Sequence, residues 1–239
     1  SLGFEALTTT SAGLAFTLGR RDGANLISRD ETLENARVIS EATDLPVAAD
    51  LENGFGDAPE DAALTIRLAA ERAGLVGGSI EDATGNAARP IYDFQHAVER
   101  IAAAVEAARA LPFRFMLVAR AENFLHGRPD LDDTIRRLQA FEAAGADVLY
   151  APGLTRAEEI RAVCQSVKRP VNVVMGLKAG SFPVAELAAM GVKRISLGSA
   201  LSRAALGGFI QAAREIREKG TFDFAKSAIS YAEVNGFMV

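Results

Sequence analysis

Cysteine is nearly absent from this 239-residue chain, where Cys164 stands alone. A single thiol excludes an internal disulfide and any metal site built from several cysteines. Set within a helical stretch, it reads as a small core residue. Histidine is almost as scarce, with only His96 and His126, which argues against a His-rich zinc centre. No window approaches about 18 uninterrupted apolar residues, so no membrane span is expected. Surplus basic charge is missing too: 26 Lys and Arg face 31 Asp and Glu, a net charge of −5 that argues against a general nucleic-acid binder. Neither G-x-G-x-x-G nor G-x-x-x-x-G-K-[ST] occurs, so the phosphate loop of an open doubly wound sheet has no candidate. No Pro/Ser-rich linker or low-complexity block interrupts the chain, and residues 1–239 read as one domain with ample core. No signal peptide is visible, although the chain opens on Ser1 and not Met, and a cytoplasmic location is expected. Carboxylates, arginines and backbone N–H groups remain to carry chemistry.

Short apolar runs rich in β-branched residues occupy positions 4–10, 46–52, 78–82, 115–122, 148–152, 171–175 and 194–198. Amphipathic runs at 59–73, 93–111, 130–144, 156–167, 184–190 and 201–219 lie between most of them. In the second of these, Phe94, Ala97, Val98, Ile101, Val105 and Ala108 recur at spacings of three and four. Asp57 reads as the N-cap of the first, with Pro59, Glu60 and Asp61 in its opening turn. Strands alternating with helices of this length predict βα units around a parallel sheet. Helices end on glycine just before the next strand at Gly74, Gly145 and Gly191, where the left-handed conformation costs little. Leu2-Gly3-Phe4 has the same form, so a helix, and a strand before it, are expected to precede Ser1. Seven visible strands plus one more would make a (β/α)8 TIM barrel whose first βα unit lies outside this chain. The stretch 220–239 restarts after a Lys-Gly break and predicts a helical tail. Its Phe222, Phe224, Ala228, Ile229 and Tyr231 need a surface to cover, either the parent barrel or a partner subunit.

Catalytic groups of such barrels sit at the C-terminal ends of strands, and these ends are acidic here. Asp50 and Glu52 share one face of their strand, because side chains alternate. The next strand ends in Glu81 and Asp82, and the one after in Arg120, Ala121 and Glu122. Asp50, Glu52 and Glu81 converging on one mouth would repel strongly, and oxygen-only ligation suits Mg²⁺ or Mn²⁺. The competing reading has these acids capping helices or facing water. Asp82 points away from Glu81 and is assigned a structural role. Arg120 would pair with an anionic substrate through its planar fork, or else with Glu122 or Glu81. Thr8 to Gly13 either turns backbone N–H groups toward an anion or forms a plain turn.

These segments carry a resemblance. Thr9-Thr10-Ser11-Ala12-Gly13, Arg21-Asp22-Gly23, Asp50-x-Glu52-x-Gly54-Phe55-Gly56, Ile80-Glu81-Asp82 and Ala119-Arg120-Ala121-Glu122 resemble, in order and spacing, the isocitrate lyase/phosphoenolpyruvate mutase superfamily. The resemblance implies a (β/α)8 barrel that breaks or makes a C–C or P–C bond beside a pyruvate enolate. It implies Mg²⁺ held directly by Asp50 and through waters by Glu52 and Glu81, with Asp22 assisting. It implies a carboxylate substrate cradled by the backbone of Ser11, Ala12 and Gly13 and gripped by Arg120. It also implies a homotetramer, a dimer of dimers, whose C-terminal helices exchange between subunits.

The departures narrow the reaction. Lyases of the superfamily carry a Lys-Arg/Lys-Cys-Gly-His motif after the Glu81 strand, whereas residues 83–92 here hold neither cysteine nor histidine. The mutase loop Lys-Arg-x-Asn survives only as Asn86 and Arg89 in altered context. What is left is a Mg²⁺-dependent lyase or decarboxylase acting on a small 2-oxo or 2-hydroxy acid. A P–C bond enzyme and a barrel that only binds a metabolite are the alternatives. Glu122, Tyr92, His126 and Asn172 are the candidates for acid, base or substrate contact. His126 either overlies the pocket or is a solvated loop residue, and His96 is read as a surface helix residue.

Overall fold

A computed structural model describes residues 2–23, 26–176 and 181–238. Seven parallel strands run in sequence order across one sheet: β1 (Leu7–Thr8), β2 (Val47–Asp50), β3 (Gly77–Glu81), β4 (Met116–Arg120), β5 (Val148–Tyr150), β6 (Val171–Val174) and β7 (Arg194–Ser196). Residues of all seven line one central cavity, so the sheet is curled into a barrel wall. This is the α/β architecture of a TIM-type barrel. Each strand is paired in parallel with the next, and helices fill the crossovers as parallel connection requires.

The helices are α1 (Ser11–Thr17), α2 (Arg29–Glu41), α3 (Pro59–Ala73), α4 (Phe94–Arg109), α5 (Leu131–Ala143), α6 (Ala157–Ser166), α7 (Val184–Ala189), α8 (Ala200–Lys219) and α9 (Tyr231–Phe237). Alternation along the strands sends Leu51, Ile80, Leu117, Ala119 and Leu149 outward into the helix layer. There they bury against Ile66, Ile101, Leu138, Phe141 and Ile160. Cys164 packs at the edge of this core, as expected of a small apolar residue. Gly74, Gly145 and Gly191 all take positive φ, at 64°, 103° and 100°, as the glycine pattern predicted.

Three local expectations need correction. The strand expected over 4–10 contracts to Leu7–Thr8, because Thr10 already caps α1 and Leu7 is exposed at the sheet edge. Helix α2 was not anticipated; a reciprocal pair holds its start, with Ser28 Oγ accepting from Glu31 N at 3.2 Å and Glu31 Oε2 accepting from Ser28 N at 2.9 Å. Asp57 does not cap α3. Ala58 is the N-cap, its N–H donating to Asp61 Oδ2 at 3.1 Å, while Asp57 accepts from the Tyr92 hydroxyl at 2.6 Å.

Beyond Val192 no described residue is buried. Helix α8, a 3₁₀ turn (Asp223–Lys226) and α9 follow, with Leu201, Phe209, Phe222 and Tyr231 exposed. The tail is helical as expected. No described helix is long and apolar enough to cross a membrane.

Candidate active site

Strand register builds the site. Glu81, Arg120, Tyr150, Asn172 and Arg194 are successive partners across β3 to β7. Partners in a parallel ladder point the same way, so these five side chains form one inward row. Asp50 pairs with Ser79, one pleat below Glu81 on the same face.

Arg120 stands at the centre. Its Nη1 donates to Asp50 Oδ1 at 2.9 Å, and its Nη2 reaches Glu81 Oε2 at 3.0 Å and Glu122 Oε1 at 2.7 Å. The guanidinium also lies 5.1 Å from the centre of the Tyr150 ring. Burial opposes its charge, but the Glu122, Glu81 and Asp50 carboxylates outweigh that and raise its pKa well above the usual range. The structural pairing considered for Arg120 is therefore present, and it involves Asp50 as well.

One guanidinium serves more acids than it can neutralise. Burial, then the nearby Asp50 and Asp22, push Glu52 up to about 7. Burial pushes Glu81 well up; Arg120 pulls it down, and Glu122, Asp50 and Glu52 oppose that pull. Asp22 lies on the exposed rim, where partial desolvation and the Asp50 charge raise its carboxyl while the Ser11 hydroxyl lowers it. The sequence-predicted acids Asp22, Asp50, Glu52, Glu81 and Glu122 thus share one electrostatic neighbourhood.

The loop after β2 holds Glu52 in place. Glu52 and Phe55 have φ of 48° and 61°, in the left-handed region that non-glycine residues avoid. At Gly54, with φ of 83°, a Cβ would lie 2.9 Å from the Ala62 Cα, so the loop presses directly onto α3. Arg100 of α4, 1 % exposed, donates to the carbonyls of Asn53, Asp57 and Ala58, and its guanidinium covers the Tyr92 ring at 4.5 Å. Sequence reasoning missed Arg100, though a charge inside the apolar stripe of α4 was a legible signal.

Ser11, Ala12 and Gly13 form the first turn of α1, where backbone N–H groups lack helix partners. Ser11 N lies 3.5 Å from Asp50 Oδ2, at the limit of hydrogen bonding. Asn172, 1 % exposed, donates from Nδ2 to Ser196 Oγ at 3.0 Å, and its Oδ1 has no partner. His126 Nε2 lies 4.0 Å from Glu122 Oε2 while its ring remains partly exposed, so it borders the acids from the solvent side. Tyr92 is not among the residues lining the central cavity. Its hydroxyl accepts from Asn53 and donates to Asp57, which makes it a latch for the Glu52 loop. His96 is only partly exposed and its ring nitrogen bonds the Asp57 carbonyl at 2.8 Å, so it is not a free surface residue. Asp82 is structural as expected: it accepts from Glu122 N at 2.7 Å and pairs with Arg137 at 3.0 Å.

The central cavity, about 270 Å³, is lined by Thr8 to Thr10, Asp50, Ser79, Tyr150, Asn172 and Ser196. A larger cleft of about 590 Å³ lies outside it, among Asn86, Arg89, Tyr92 and Arg128, and contains none of the clustered acids. Of the clustered acids Asp50 alone lines the central cavity, while Glu52 lines a separate cleft of about 450 Å³ with Arg29 and Asn53. Tyr150 and Ser196 were also missed from sequence, since a tyrosine and a serine inside β-strands look like packing residues until the register is known.

Residues 1–217 match the family described as phosphoenolpyruvate phosphomutase. An oxaloacetate decarboxylase of Bradyrhizobium diazoefficiens is 34 % identical over 61 % of this chain, which spans half of that relative's length. A 2-methylisocitrate lyase of Aeropyrum pernix is 30 % identical over 92 % of this chain and 71 % of its own. Among solved structures, a Burkholderia cenocepacia protein described as a candidate lyase/mutase superposes with a TM-score of 0.95 at 61 % identity, covering 99 % of this chain and 84 % of that one. A phosphonopyruvate hydrolase solved with oxalate and Mg²⁺ superposes with a TM-score of 0.85 at 26 % identity, over 99 % and 83 % of the two chains. The motifs, the curled parallel sheet and these matches lead to one statement: the chain belongs to the phosphoenolpyruvate mutase/isocitrate lyase superfamily.

Proposed function

We propose that the chain is a Mg²⁺-dependent lyase or decarboxylase that cleaves a C–C bond in a small 2-oxo or 2-hydroxy carboxylic acid through a pyruvate-type enolate. The observation that carries this reading is the surplus of desolvated carboxylates around Arg120 in the barrel mouth. The donor chemistry fits a hard divalent cation, with Mn²⁺ as the substitute. Among the described residues, no three Asp, Glu, His or Cys side chains are arranged to ligate one ion together. The arrangement proposed is therefore direct ligation by Asp50 alone, with Glu52, Glu81 and Asp22 acting through water, the hydration that Mg²⁺ favours. When bound, the cation supplies positive charge where enolate charge develops.

The protein's own groups do the rest. The first-turn N–H groups of Ser11, Ala12 and Gly13 face the substrate carboxylate, and Arg120 grips it by exchanging one of the carboxylates, Asp50, Glu81 or Glu122, that now hold its guanidinium. The unpartnered Oδ1 of Asn172 accepts from a substrate hydroxyl or a bound water, relieving an orphan that costs about 1–3 kcal/mol. Glu122, held by Arg120 and 4.0 Å from His126, is placed to take a hydroxyl proton and pass it outward.

The relatives support the reaction class, one being named a decarboxylase of oxaloacetate and another a lyase. The missing cysteine in residues 83–92 favours decarboxylation, which needs no separate loop acid before C–C cleavage. A P–C bond enzyme on the same scaffold remains the second reading, favoured by the resemblance to phosphonopyruvate hydrolase. A panel of oxaloacetate, methylmalate-type acids and phosphonopyruvate separates the readings. Turnover of a carbon acid that chelator abolishes supports the first; turnover of phosphonopyruvate alone overturns it. The proposal includes a cytoplasmic homotetramer in which the exposed apolar residues of α8 and α9 are covered by a partner subunit.

A further inference from the structure

Residues 83–92, which lack the lyase motif, still lend one side chain to the metal side of the barrel mouth. We infer that Tyr92 is a positioning residue for the divalent cation: its hydroxyl fixes the loop that carries Glu52 and, through the Glu52 backbone, sets Asp50 and the end of β3. The inference rests on the metal-dependent reading above. It replaces the acid, base or substrate role considered for Tyr92 from sequence with one exerted through other residues.

Glu52 is where the metal-side segments meet. Its N–H donates to Asp50 Oδ1 at 3.3 Å, and its carbonyl accepts from Glu81 N at 2.9 Å. One residue's backbone thus ties the proposed direct ligand to the strand that carries Glu81. That backbone is left-handed, with φ of 48°, and Phe55 follows at 61°. Non-glycine residues persist there only when their surroundings hold them.

The holding comes from outside the loop. Asn53 uses both ends of its side-chain amide: Oδ1 accepts from Phe55 N at 3.0 Å, and Nδ2 donates to the Tyr92 hydroxyl at 3.2 Å. The same hydroxyl donates to Asp57 Oδ1 at 2.6 Å, so one oxygen joins the two ends of the loop. Arg29 and Arg100 also brace this loop, but there they bond only its carbonyls. Among the described residues, the Tyr92 hydroxyl is therefore the group that orients Asn53 Nδ2. Tyr92 is itself firmly anchored. Its N–H donates to the Asp82 carbonyl at 2.8 Å, its carbonyl accepts from Arg137 Nη1 at 3.0 Å, and neighbouring Ile91 bridges back to Ala83. Its buried ring lies between the Arg100 guanidinium at 4.5 Å and the His96 ring at 5.2 Å. Tyr92→Phe keeps this packing and releases Asn53 and Asp57 together.

The test reads Mn²⁺ binding directly, from loss of the free-ion electron paramagnetic resonance signal, on the whole chain without substrate. The wild type should bind the ion. Tyr92→Phe should weaken binding by about tenfold or more, the usual effect of losing a hydrogen bond that orients metal ligands. Asp57→Ala, a change at an exposed residue on the same bond, should weaken it in the same direction. The double variant should bind no more weakly than Tyr92→Phe alone, since one hydroxyl serves both bonds. Asp57→Ala keeps the inference testable if Tyr92→Phe folds poorly. The control for general destabilisation is Asp147→Asn. The Asp147 carboxylate accepts from Arg109 and from Leu117 N, both at 2.9 Å, just before β5 begins. This variant should lower the denaturation midpoint and leave Mn²⁺ affinity within about twofold, as expected of a distant, independent site. Wild-type affinity in both Tyr92→Phe and Asp57→Ala overturns the positioning role and leaves the metal reading standing. An equal loss of affinity in Asp147→Asn does the same. A wild type that binds no Mn²⁺ overturns both.

Discussion

At the scale of single residues, the site is governed by charges that burial makes expensive. Glu52 has a folded pKa of about 7 against an ordinary 4.5, so the native state binds the extra proton. The sign follows: stability of the metal-free protein falls as pH rises from about 4.5 through 7, because ionisation costs more in the folded chain than in the unfolded one. Glu52→Gln removes that cost without changing volume. It should raise the stability of the metal-free protein at pH 8 by about 1–3 kcal/mol, read from chemical denaturation, with little gain at pH 4. Asp50→Ala should instead lower turnover by about 10³-fold or more, several kcal/mol of lost transition-state stabilisation, while denaturation shows the chain still folded. Unchanged turnover would remove Asp50 from the metal. Asp50, Glu81 and Arg120 were legible in sequence because strand alternation and position at strand ends specify both face and height. Glu52 and Glu122 lie past the ends of β2 and β4, Glu52 with φ of 48°, so the shared strand face expected of Asp50 and Glu52 is not what brings Glu52 to the site. Tyr150 and Arg100 were not legible, since each acquires meaning only through residues distant in sequence, the register with Arg120 and Asn172 in one case and the carbonyls of residues 53–58 in the other.

At the scale of elements, short loops are pinned by buried arginines. Arg137 of α5 reaches Asp82 at the end of β3, Asp133 on its own helix and the Tyr92 carbonyl, while Asp82 also accepts from Glu122 N after β4. Both Asp82 and Arg137 are buried. Arg137→Met should therefore cost about 3–5 kcal/mol, the penalty of leaving a buried carboxylate unpaired, seen as a lower denaturation midpoint with an unchanged slope. The element map itself was readable where amphipathic period and terminal glycines agreed, as in α3 and α5, and in α4 on the period alone. It failed at α2, whose polar, weakly periodic sequence depends on the Ser28–Glu31 cap, and at Asp57, where a tertiary bond to Tyr92 displaced a local cap. Local preference loses to tertiary hydrogen bonding when the alternative partner is buried and the competing cap can be supplied by a neighbour, here Asp61.

At the scale of the whole molecule, burial is uneven. The sheet centre and helices α3 to α6 hold most of the core, while α8 and α9 contribute no buried residue. In the tetramer proposed above, Phe209, 71 % exposed, lies under a partner. Light scattering should then give four subunits, and Phe209→Asp should shift the mass downward; a monomeric wild type would refute the assembly. The same unevenness has a dynamic counterpart. Amides of β3 and β4, laced into neighbours on both flanks, should open only with global unfolding, whereas those of α8 in a free subunit should open by local fluctuation. In the dissociated subunit, deuterium uptake should accordingly climb in a gradient around the cylinder, slowest beside Arg120 and fastest past Val192, so that the acid cluster rides on the stiffest arc of the protein and its proton chemistry is insulated from the restlessness of the far rim.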